Sequence, residues 1–152
     1  MPDRSLPSHP SPNWNERPAG VVPDMLVIHY TGMLSAEAAL ARLRDPAAKV
    51  SAHHLIDEAG RVFSLVDEAA RAWHAGVSHW RGRDDLNDVS IGIELANPGH
   101  AWGYRPFPEA QMGALEQLMR EMLRRWPIPP GRVLGHSDIA PERKQDPGER
   151  FD

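Results

Sequence analysis

No cysteine occurs anywhere in the sequence. That excludes disulfides, thiolate metal ligands, a Cys nucleophile and a lipid-bearing N-terminal Cys, so any metal must be held by histidines and carboxylates. There is no apolar run long enough to cross a bilayer, and Met1–Gly20 has no apolar centre of the export-signal kind. Membrane insertion is not expected, and the expected location is the cytoplasm. A basic excess is missing too: 17 Lys and Arg face 21 Asp and Glu, for a formal net charge of -4. Without a basic stripe to match polyphosphate, nucleic acid is not an expected partner. Internal repeats are absent, and 152 residues suit one domain around one core, expected as a monomer with one active site.

Proline is abundant, and its distribution is uneven. Pro2, Pro7, Pro10, Pro12 and Pro18 punctuate residues 1–24, which read as an extended lead-in because proline interrupts both helix and ladder pairing. The folded domain is expected over 25–152. Met25–Tyr30 is a short, continuously apolar run ending at His29, which suits a central strand covered on both faces. Ser35–Asp45 predicts a helix, with Ser35 as N-cap and Pro46 as the stop. His53–Ile56 and Val62–Val66 flank a turn containing Gly60 and predict a hairpin. In Val89–Leu95 one face carries Val89, Ile91, Ile93 and Leu95, while Ser90, Gly92 and Glu94 share the other. Pro108–Trp126 carries a helical apolar stripe, and Arg132–Leu134 is a last short strand leading to His136. Strands and helices interleave, which predicts an α/β (α+β) single domain with a central mixed sheet flanked by helices.

Eight histidines are present, but position says more than number. His29 closes a buried strand, where an imidazole that has lost water needs a strong partner. The segment from His136 to Gly148 holds His136, Asp138 and Asp146, with Pro141, Pro147 and Gly148 shaping an ordered loop. His29, His136 and one aspartate, Asp146 or its rival Asp138, make three ligands of borderline hardness. Such a set suits Zn²⁺ and leaves a fourth position open for catalysis.

The strand ending at His29, the block Ala72–Gly76, the run Ser90–Leu95 and the loop His136–Gly148 resemble the zinc-dependent N-acetylmuramoyl-L-alanine amidases, relatives of phage lysozyme-like amidases and of peptidoglycan recognition proteins. The resemblance runs from about Val22 to Asp152. It implies one Zn²⁺ per chain held by His29, His136 and Asp146, with Glu94 as acid/base, Lys144 as the cation facing the transition state, and peptidoglycan fragments as substrate. By the same resemblance His53, His54, Trp73 and His74 are expected around the substrate cleft, although the recognition-protein branch carries a Tyr at the position resembling His53. Taken singly, each residue has an ordinary reading: Glu94 as a strand-edge carboxylate, Lys144 as a solvated lysine, Asp146 as a turn-former, Trp73 as core. Their joint occurrence favours the site.

Two other functions fit parts of the pattern. One is a muropeptide-binding module without activity, which the full ligand set argues against. The other is a different zinc amide hydrolase, although no His-Glu-x-x-His occurs. Trp80–Gly82 and Leu86–Asp88 resemble the broad-specificity branch, and Asp57, Glu58 and Asp85 stand where the anhydro-specific branch tends to be basic. Cleavage of muropeptides with or without the 1,6-anhydro sugar is therefore expected.

Overall fold

The computed structural model describes residues 7–152; the first six residues of the expected lead-in lie outside the described residues. In chain order the elements are β1 (Trp14–Asn15), β2 (Met25–Tyr30), α1 (Ala36–Leu43), β3 (His54–Ile56), β4 (Val62–Ser64), β5 (Arg71–Ala72), β6 (His79–Trp80), β7 (Arg83–Asp84), β8 (Ser90–Leu95), α2 (Glu109–Arg125), β9 (Val133–Gly135) and the single turn α3 (His136–Ile139). The Ser35 side chain accepts from the Ala38 N–H at 3.0 Å, which fixes the start of α1. Five strands form the central sheet in the order β4-β3-β8-β2-β9. β3, β8, β2 and β9 run parallel and β4 closes one edge antiparallel, so the sheet is mixed, as expected.

Alternation decides what each face does. Leu26, Ile28, Ile91, Ile93 and Leu95 pack against Leu115, Leu118 and Met122 of α2, the main core. On the opposite face Met25 and Val27 pack with Ala75, Leu86 and Ile139, while α1 covers Leu55, Leu65 and Ala72 with Ala36, Ala39 and Leu43. Val89 is expected on one face with Ile91, Ile93 and Leu95; it precedes β8 and packs with the Met25 cluster instead. The carboxyl ends of β2 and β8 and the residue after β9 open onto one cavity, lined by His29, Tyr30, Glu94 and His136, and open α/β sheets place ligands at such ends.

The described part of the expected lead-in, residues 7–24, is bonded to the domain. Asn13 donates to the carbonyls of Asp45 and Val50 at 2.9 and 2.8 Å, and β1 pairs with β5. Arg17 is buried and donates to the carbonyls of Glu68, Asn87, Asp88 and Ser90. Proline shortened the ladder here but did not prevent docking, because side-chain and backbone bonds to loop carbonyls hold the segment.

A candidate metal-dependent active site

Three strand ends deliver the site. His29 lies on β2, Glu94 is its register partner on β8, and His136 follows β9 directly. The Ser137 N–H donates to the Asp146 carbonyl at 2.9 Å, which folds the later loop back onto α3. His29, His136 and Asp146 are buried and form a three-residue group suited to holding a metal. His29 Nδ1 lies 3.0 Å from His136 Nδ1 and 3.2 Å from Asp146 Oδ2, and the third separation is 3.3 Å. Asp138 takes no part: its Oδ2 accepts from the Gly135 N–H at 2.8 Å at the head of α3. Of the two aspartates, Asp146 is the one whose carboxylate meets His29 and His136.

The protons on the two rings can be assigned from their outer partners. A backbone carbonyl only accepts, so His136 Nε2, 2.9 Å from the Ala75 carbonyl, carries the proton and leaves a lone pair on Nδ1. Arg143 donates to the same carbonyl at 3.0 Å and to that of Val77 at 2.9 Å. His29 Nε2 lies 3.0 Å from His74 Nδ1. Burial pushes His29 down to about 4 and His74 well below its ordinary value, so both rings are neutral near pH 7. With His29 protonated on Nε2, two imidazole lone pairs and a carboxylate oxygen converge with no proton between them. Donors around a tetrahedral ion with bonds of about 2.0–2.2 Å stand about 3.4 Å apart. The donor set therefore fits a single cation of the zinc type.

The Glu94 carboxyl is pushed well above its ordinary range, by burial first and by the Asp146 charge second, with Lys144 opposing. Its Oε2 is buried and has no hydrogen-bond partner among the described residues. Glu94, Lys144 and the three donors line one cavity of about 370 Å³, together with Tyr30, Arg42 and Trp73. A carboxyl poised to hold or release a proton thus shares a space with a cation and a metal-type donor set.

Of the residues expected around the substrate cleft, Trp73 and His74 line the cavity and His53 and His54 do not. His53 is fully buried and lies outside the cavity lining: its Nδ1 accepts from the Gly92 N–H at 3.0 Å and its Nε2 donates to the Ala70 carbonyl at 2.9 Å. His54 is turned to the α2 side, where it meets Glu68 at 2.6 Å beside Arg125 and Trp126. His74 reaches the cavity wall, but both ring nitrogens are engaged, with His29 and with Ser90 at 3.1 Å. Trp73 does line the cavity, its Nε1 donating to Asn15 at 2.8 Å. Sequence reasoning missed Ser90, Arg143 and Arg42. For Ser90 a signal existed, since the strand alternation already placed it on the Glu94 face.

A buried two-histidine, one-carboxylate donor set at the sheet's strand ends, with a carboxyl and a lysine in the same cavity, could hold a metal ion. The profile of the N-acetylmuramoyl-L-alanine amidase family matches residues 18–149, and the chain belongs to that family. It is 43% identical over 139 residues to N-acetylmuramoyl-L-alanine amidase AmiD of Escherichia coli, covering 84% of this chain and 49% of that protein. It is 36% identical over 160 residues to 1,6-anhydro-N-acetylmuramyl-L-alanine amidase AmpD of Haemophilus influenzae, covering 93% of this chain and 85% of that protein. The solved complex of AmiD from E. coli with anhydro-N-acetylmuramic acid-L-Ala-D-γ-Glu-L-Lys aligns with a TM-score of 0.79 and 41% identity, over 90% of this chain and 58% of that one. The chain thus spans about half the length of AmiD and most of AmpD.

Proposed function

We propose that this chain hydrolyses the amide bond between N-acetylmuramic acid, including its 1,6-anhydro form, and L-alanine in peptidoglycan fragments, with one Zn²⁺ held by His29, His136 and Asp146. The convergence of His29 Nδ1, His136 Nδ1 and Asp146 Oδ2 within 3.3 Å of one another, beside Glu94, carries this reading. Family membership and the substrate named in the AmiD complex support the choice of amide. Bound there, Zn²⁺ would supply Lewis acidity, which polarises a carbonyl and brings the acidity of water toward neutral pH.

The protein's own groups do the rest. Glu94 takes a proton from the attacking water and returns it to the leaving nitrogen, a role its raised pKa suits. Lys144, on the same loop as Asp146 and in the same cavity, offers a cation to the carbonyl oxygen as negative charge develops. Trp73 supplies an aromatic wall for the bound fragment.

The test is mass spectrometry of products from a purified anhydro-muropeptide with zinc-loaded and chelator-treated protein. Release of the free L-Ala peptide only by the loaded protein is expected; tight binding without cleavage would make it a receptor. The reading includes action in the cytoplasm, which fractionation of the native host would refute by finding the protein in the envelope. Among the described residues no helix is long and apolar enough to cross a membrane.

A further inference from the structure

We propose that His74 and Ser90 are positioning residues that select the tautomer of the metal ligand His29, relaying a backbone carbonyl's demand for a proton across two side chains. The inference rests on the metal-binding part of the proposed function, not on the amide it cleaves.

The direction of the relay follows from one group that cannot donate. Ser90 Oγ lies 2.6 Å from the Leu86 carbonyl, so the hydroxyl proton is committed there. Toward His74 Nε2, at 3.1 Å, the same oxygen must accept, which places the His74 proton on Nε2 and a lone pair on Nδ1. That lone pair, 3.0 Å from His29 Nε2, accepts the His29 proton. What remains on His29 is an Nδ1 lone pair aimed at the point shared with His136 and Asp146. His136 reaches the same state by a single bond to the Ala75 carbonyl. Both ligands are thus set by backbone carbonyls, one directly and one through two intermediaries.

Gly92 is an independent sign that the sheet makes room for this relay. A Cβ there would lie 2.6 Å from Cδ2 and 2.7 Å from Nδ1 of His74, and those atoms belong to a ring held at both nitrogens, not to a flexible end. Ser90 and Gly92 are on the same strand face as Glu94, so β8 carries hydroxyl, seat and proton carrier at alternate positions. Partners of this kind typically contribute about 10- to 100-fold in metal affinity.

The test uses the full chain, prepared without metal, with ¹⁵N-labelled histidine. Long-range ¹H–¹⁵N spectra of the wild type are expected to show His29 as the Nε2–H form. In His74→Phe that preference should disappear, and zinc affinity, measured by chelator competition, should fall about 10- to 100-fold. His74→Asn, whose amide oxygen can replace the Nδ1 acceptor, should recover most of both. Ser90→Ala, a smaller change in a buried site, should weaken the His29 preference with a lesser loss of affinity, and it serves if His74→Phe does not fold. An unchanged His29 tautomer and unchanged affinity in a folded His74→Phe or Ser90→Ala protein would overturn the proposal. Tight zinc binding with the expected tautomer but no muropeptide cleavage would instead overturn the amidase reading alone.

Discussion

His29 on β2 and Glu94 on β8 are register partners in a parallel pairing. The alternation that sends Leu26, Ile28, Ile91 and Ile93 into the α2 core therefore sends the ligand and the proton carrier out together on the other face. A slip of one residue in either strand would bury one of them under α2. Packing and catalytic geometry are here the same constraint.

Because the three donors are interdependent, His29→Ala and His136→Ala should each bind less than a tenth of a zinc equivalent after dialysis, where the wild type keeps about one, on the order of the loss expected when one of three protein ligands is removed. Asp138→Ala should keep its metal, since that carboxylate caps α3 and is not a donor to the site. Metal analysis of the dialysed proteins checks all three, and full occupancy in both histidine variants would place the site elsewhere.

Glu94→Gln should retain zinc and lose roughly 10²- to 10⁴-fold in kcat, the usual worth of a positioned acid/base. Lys144→Ala should also retain metal, with a loss of about 10²- to 10³-fold if it acts on the developing oxyanion. Steady-state kinetics beside metal analysis separates these from loss of the site; a Glu94→Gln enzyme turning over at near the normal rate would remove Glu94 from the mechanism.

Much of this was legible in the sequence, for local reasons. The Ser35 cap, the Gly60 turn and the alternation through Ser90–Leu95 each depend on a few adjacent residues, and each is present. His29 and His136 stood out because His29 closes an apolar run and the His136 loop is stiff with proline, while the choice of Asp146 over Asp138 came from the family resemblance. The bonding roles of Arg17 and His53 were not legible, and for Ser90 only its strand face was, because their partners Glu68, Ala70 and His74 are brought near only by the tertiary fold. Proline counting likewise could show that residues 7–24 form no long ladder, but not that their side chains bind loop carbonyls.

Burial holds His53 down to about 3, with the Arg17 charge second in effect, against about 6.5 in an unfolded chain. Above pH 6.5 neither state takes the proton and His53 adds no pH dependence. As pH falls below 6.5 the unfolded chain binds it and the folded chain does not, so stability drops by about 1.4 kcal/mol per unit until about pH 3. His53→Asn, which can keep an acceptor for Gly92, removes this titration. Its stability deficit relative to wild type, from urea unfolding of zinc-free protein, should shrink by about 2 kcal/mol between pH 7.5 and pH 5. A deficit independent of pH would mean that the folded protein protonates His53 as easily as the unfolded chain.

The last prediction concerns the sugar. Strong rejection of an analogue needs a buried polar group left unpaired by it, which can yield about 10⁴- to 10⁵-fold; apolar walls give only about 10- to 200-fold. Outside the donor set the cavity wall includes Met33, Leu43, Val50 and Trp73, with Arg42 and Ser51. Arg42 is exposed, and the Ser51 hydroxyl already donates to the Asn13 carbonyl and accepts from the Trp73 N–H. Asp57, expected to weaken a cationic grip on the fragment, is spent on its own turn, accepting from the Arg61 N–H at 2.8 Å. The wall thus has apolar surface for the sugar, and of the two polar residues beside it Arg42 is exposed and Ser51 is already paired. We expect kcat/KM for matched anhydro and reducing-end muropeptides to agree within about 10²-fold. A preference for the anhydro form above roughly 10³-fold, about 4 kcal/mol of transition-state discrimination, would show that this wall recognises the ring.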